Sequence, residues 1–120
     1  MTTDNSRLNE MTKQLRVYTK QAEQQFEQRT MSDGYEVDFF GSAKPFADKV
    51  QSLVDEWKPL ASEWAIRERP KYVYPIQIKD TSENLTIIAV QAFQKDTKAK
   101  RFLAMTKSID YILESMEKQL

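Results

Sequence analysis

Arg67-Glu68-Arg69-Pro70-Lys71-Tyr72-Val73-Tyr74-Pro75 divides this chain in two. Pro70 and Pro75 each lack a backbone N–H and crowd the carbonyl four residues back, so one helix cannot run through both. One amphipathic pattern therefore ends here and another begins. The stretch is also the densest polar-aromatic cluster of the sequence. Arg67, Arg69, Lys71, Tyr72 and Tyr74 stand together and are the candidate partner-binding residues, suited to an anion, a peptide carboxylate or a stacked base. The structural alternative has Tyr72 and Val73 plug the end of a bundle, with the cations lying over Trp57, Trp64 or an acidic last helix.

Upstream, Phe46, Val50, Leu53, Trp57, Leu60/Ala61 and Trp64 form a helical stripe over about 42–68. Pro45 suits a first turn. Pro59 lies inside the stripe, which stays in phase through Trp64, so the reading is one helix kinked near Pro59. Further upstream, Leu8, Met11, Leu15, Tyr18, Ala22 and Phe26 are spaced 3-4-3-4-4 over about 4–30. Thr3 to Ser6 offer caps, and Ser32-Asp33-Gly34 is a stop and turn. Val37-Asp38-Phe39-Phe40 is either one helical turn or an ordered loop packed on the bundle.

Downstream, a helix over about 76–95 buries Ile78, Leu85, Ile88, Ala89, Ala92 and Phe93, with Ile87 and Val90 widening its apolar arc. Asp96-Thr97 is the expected break, with either residue as the next N-cap. Phe102, Met105, Ile109, Ile112/Leu113 and Met116 then mark a last helix over about 98–118. Four stripes on short connections read as a single domain, residues 1–120. The fold class is all-α: an up-and-down antiparallel four-helix bundle.

Composition removes most chemistry. With neither cysteine nor histidine, the chain offers no thiol nucleophile, thiolate zinc site, imidazole base or imidazole ligand. Its two glycines, Gly34 and Gly41, cannot build a phosphate-cradling loop. Lys+Arg and Asp+Glu are both 18, so the positive field of a general nucleic-acid binder is missing. No segment reads as a membrane span or signal peptide, which places the protein in the cytoplasm.

Acid–base work by Glu36 and Asp38, beside Phe39-Phe40, is conceivable; the simpler role is to cap a helix start. Glu23/Glu27 and Asp55/Glu56 alternate with cations as solvated faces. Lys95, Lys98, Lys100 and Arg101 cluster at the third turn, either to contact phosphates or to pair with Asp33, Glu36 and Asp38 of the first turn at the same end. No catalytic residue, cofactor or metal ligand is assigned. The leading function is non-catalytic binding of a protein or small anionic ligand by a monomer or weak dimer. The rivals are an enzyme using carboxylate, lysine and tyrosine chemistry, and weak nucleic-acid binding through the basic turns.

Asp38-Phe39-Phe40, Lys44-Pro45, Trp57, Arg69-Pro70-Lys71-Tyr72-Val73 with Gln77-Ile78, and Lys100-Arg101-Phe102 resemble the YppE-like family. These are small proteins of unknown function from Gram-positive bacteria of the bacillus type. The resemblance covers about residues 33–117; Pro59 and the lack of histidine look like departures. It implies an all-α four-helix bundle of bacterial cytoplasmic origin and supplies no reaction, cofactor or site.

Overall fold

The computed structural model describes residues 5–120. Helix α1 spans Ser6–Gln24 and widens into a π-type turn over Gln25–Thr30. A second wide turn, Phe39–Ala43, leads into α2, Lys44–Glu68. Helix α3 is Pro75–Gln91 and α4 is Ala99–Gln119. Among the described residues there is no strand. The expected caps Thr3 and Asp4 lie outside the described residues. Asn5 takes the N-cap position of α1 without a side-chain cap hydrogen bond.

The helices form the expected antiparallel bundle, elongated at 56 × 26 × 19 Å. Helix α1 packs on α2 and α4, and α3 closes the ring against the same two. Paired side chains give the directions. Trp57 Nε1 donates to Thr12 Oγ1 at 3.0 Å, while the rings of Tyr18 and Phe46 lie 5.9 Å apart, so residue numbers fall along α2 as they rise along α1. Phe26 meets Phe102 at 4.5 Å, and Arg16 pairs with Asp110 at 2.9 Å and Glu117 at 3.0 Å. The hydrogen bond to Asp110, with a smaller contribution from Glu117 and against the opposing effect of burial, holds the Arg16 guanidinium above its ordinary pKa.

The expected stripes of α1 and α4 are the core faces, with Tyr18 and Met105 only partly buried. Buried hydroxyls fill gaps between apolar positions, and three of them satisfy themselves locally. Thr12, Thr19 and Ser82 each donate to the carbonyl four residues back. In α1 the last buried positions are Ala22, Phe26 and Thr30, spaced by four. A straight α-helix of 3.6 residues per turn would carry such a series off the core face; the wider turn returns it.

Helix α2 buries Val50, Trp57, Ala61 and Trp64 of its expected stripe, with Phe46 partly buried, and departs from the reading only at the edges of that face. Val54 and Ala65 are buried, whereas Leu53 is partly exposed and Leu60 is exposed. Ala61 is fully buried beside it, because a small residue lets a neighbouring helix approach. The helix runs unbroken through Pro59. Both Pro59 and Asp55, whose carbonyl loses its helical partner, lie on the exposed side, where solvent can satisfy that carbonyl.

Helix α3 ends at Gln91 rather than near Lys95. All six expected core residues are buried, Ala92 and Phe93 lying just beyond the helix, but Ile87 and Val90 are exposed. Neither Asp96 nor Thr97 caps α4; Lys98 holds that position. The Thr97 hydroxyl instead donates to the Gln91 carbonyl at 2.9 Å and closes the preceding turn.

Candidate functional site

Two distinct surfaces lie at opposite ends of the bundle. The first is the turn joining α2 to α3. Arg69 ends α2 in the left-handed region, at φ 46° and ψ 56°, and Tyr72 also has positive φ, 64°. Residues with a Cβ rarely adopt this backbone, and doing so costs on the order of 1–3 kcal/mol each. Three anchors hold the turn. Val73 inserts into the core at 1% exposure. Gln119 of α4 reaches across and binds both sides of Lys71: its Oε1 accepts from the Lys71 N–H at 2.8 Å, and its Nε2 donates to the Lys71 carbonyl at 2.8 Å. Gln77 Oε1 accepts from the Tyr74 N–H at 2.8 Å and fastens the start of α3.

With the backbone so fixed, the side chains of Arg69, Lys71, Tyr72 and Tyr74 face solvent. Tyr72 is 62% exposed and Tyr74 59%. This corrects the expectation that Tyr72 plugs the bundle: the positive φ turns its ring outward and leaves Val73 alone to fill the gap. Nor do the cations cover the tryptophans, since Trp57 and Trp64 are core residues. Arg67 separates from the group, paired with Glu63 at 3.2 Å and Glu68 at 3.4 Å. Among the described residues, neither Arg69 nor Lys71 has an ion-pair partner.

Because Tyr72 holds a strained backbone and an exposed ring, Tyr72→Gly should stabilise the fold, by up to about 1 kcal/mol once glycine's extra unfolded-state entropy is set against the relieved strain. Urea denaturation measures this. A loss above about 1 kcal/mol would show that the ring carries packing the turn depends on.

The second surface was not read from the sequence. A half-open cavity of about 600 Å³ lies where the 35–48 segment meets the end of α3 and the loop after it. Tyr35, Val37, Phe39, Ala47, Val90 and Phe93 supply most of its apolar lining, and Lys44, Asp48, Lys95 and Asp96 its charges. The signal was Val37-Asp38-Phe39-Phe40, an apolar run placed in a turn. Phe39 does start a helical turn, but that run does not pack down: Phe39 is 53% exposed and Phe40 81%. Asp38 plays the capping role, its Oδ1 accepting from the Gly41 N–H at 2.9 Å. A Cβ at Gly41 would sit 2.3 Å from Asp38 Oδ2, so a larger residue there would push the carboxylate out of its capping position.

The first and third turns do share this end. Thr30 Oγ1 donates to the Ala92 carbonyl, and Lys95 Nζ to the Ser32 carbonyl at 3.2 Å. The expected charge pairing is absent, however: among the described residues no ion pair joins Asp33, Glu36 or Asp38 to Lys95, Lys98, Lys100 or Arg101. Lys95 uses the Ser32 carbonyl as its acceptor instead. No three Asp or Glu side chains among the described residues gather as a cation site, and no helix is long and apolar enough to cross a membrane.

The family model for a bacterial domain of unknown function, DUF1798, matches residues 12–120. The chain belongs to this family. Solved structures agree with that membership. The crystal structure of YppE from Bacillus subtilis has a TM-score of 0.88 and 26% identity, covering 97% of this chain and 94% of that one. A Listeria innocua protein of unknown function has a TM-score of 0.84 and 27% identity, covering 92% and 88%. A DUF1798 domain from Staphylococcus aureus has a TM-score of 0.83 at 24% identity, covering 93% and 94%, and shares the fold. No curated protein matches the sequence. DUF1798 therefore brings the four-helix bundle and the YppE likeness, and no function is established for it.

Proposed function

We propose that this protein acts by binding rather than by catalysis, in the cytoplasm, and that the α2–α3 turn recognises an acidic segment of a partner protein. One observation carries the reading. The turn bears two positive-φ residues, yet Gln119, Gln77 and Val73 lock it so that Arg69, Lys71, Tyr72 and Tyr74 are held out in solvent. Strain maintained in order to present unpaired cations and exposed rings is a device for recognition. A pre-organised turn also loses little entropy when a partner docks. Arginine can grip a carboxylate with two parallel hydrogen bonds, and the tyrosines supply flat amphipathic contact area.

The test is capture of partners from native cytoplasm by the wild-type chain and by Arg69→Glu/Lys71→Glu. A partner retained by the wild type should bind the double variant at least about 100-fold more weakly, since like charges face each other across the interface. Melting should stay near wild type, because both side chains are exposed. A genuine partner that holds both chains equally removes this turn as the recognition surface.

A further inference from the structure

We propose that the 600 Å³ cavity receives the Phe39-Phe40 corner of a second copy of this chain, so that the protein forms a reciprocal twofold dimer through the end of the bundle opposite the recognition turn. Knob and hole stand side by side. Phe39 lines the cavity, and its ring meets that of Phe40 edge to face at 5.0 Å. Phe40, at 81%, is the most exposed large apolar side chain among the described residues. A twofold axis brings one surface patch against itself, so it requires a projecting group beside the hollow that accepts it. Val37 and Val90, both about half exposed and both on the cavity wall, would be covered in the same step.

The charges suit this occupant. The rim carries two cations, Lys44 and Lys95, and two carboxylates, Asp48 and Asp96. Lys44 already pairs with Asp48 at 2.7 Å, and Lys95 is bonded to a carbonyl. Among the described residues Asp96 has no ion-pair partner. Such a balanced rim repels neither sign of charge, and across a twofold axis Lys95 of each copy can approach Asp96 of the other. A strongly anionic ligand would find no net attraction here. The formal net charge of the whole chain, +0, sets no barrier to self-association.

The corner is small, so the expected affinity is weak, with Kd of roughly 10⁻⁵–10⁻⁴ M. Sedimentation of the full chain should give 14.1 kDa at low concentration, rising to a plateau at twice that mass. Phe40→Asp removes the knob and Val90→Glu spoils the hole. Both positions are exposed, so both chains should keep the wild-type melting temperature and stay monomeric. Mixed one to one, they should associate far more weakly than the wild type, because a mixed pair keeps only one of the two knob-in-hole contacts and sets two acidic side chains against each other in the other. A monomeric wild type up to about 1 mM overturns the proposal. So does growth beyond twice the monomer mass, a dimer indifferent to Phe40→Asp, or a one-to-one mixture that associates as tightly as the wild type. Stoichiometric uptake of an apolar dye by a wild type that never dimerises would assign the cavity to a small ligand instead.

Discussion

Replacing Trp57 by alanine is expected to cost about 3–5 kcal/mol, a large share of the roughly 5–15 kcal/mol that stabilises a domain of this size. Trp57 is fully buried, and its indole N–H donates to Thr12 on the facing helix. The Thr12 hydroxyl donates in turn to the Leu8 carbonyl at 2.7 Å, so one oxygen serves both helices. Truncation removes the largest fully buried side chain of the described core, opens a void between α1 and α2, and deletes the hydrogen bond that joins them. Trp57→Phe separates these contributions. It keeps much of the volume and loses the donor, so it should cost well under half as much. Chemical denaturation with two-state analysis measures both. A Trp57→Ala loss below about 1 kcal/mol would mean that the α1–α2 interface repacks freely.

Ile109→Ala should have the next largest effect, about 2–5 kcal/mol, from lost burial plus an unfilled cavity. Ile109 is fully buried midway along α4. Tyr111, two residues on, is 55% exposed. Tyr111→Ala should therefore stay within about 0.5 kcal/mol, the range of surface sites. The contrast between neighbours on one helix tests its phase and not merely its presence. Equal effects at 109 and 111 would place the core on a different face of α4.

The bundle was legible because four amphipathic stripes and three breaks leave few other ways to bury the apolar positions. Helix α2 shows where that reading thins. Leu53 and Leu60 outweigh Val54 and Ala65 in size, and both sets fit a helical repeat; helix-to-helix distance decided between them, and sequence does not state distance. The widened end of α1 did leave a trace, the two successive steps of four at Ala22 and Phe26. Tyr72 left none, because only tertiary anchoring makes a tyrosine accept a backbone suited to glycine. The cavity was hidden for another reason: residues 35–48 and 90–96 meet only after the first and third turns are brought to one end.

Gln119 sets a chemical condition on the turn it fastens. Its amide both accepts from and donates to the backbone of Lys71, 48 residues away. Only a side-chain amide offers that donor–acceptor pair in one plane. Deamidation to glutamate would keep the acceptor but replace the donor with a second acceptor, facing the Lys71 carbonyl. The shape of the exposed loop is thus tied to a group that ages by hydrolysis, and an old preparation could lose its grip on Lys71 while every helix remained intact.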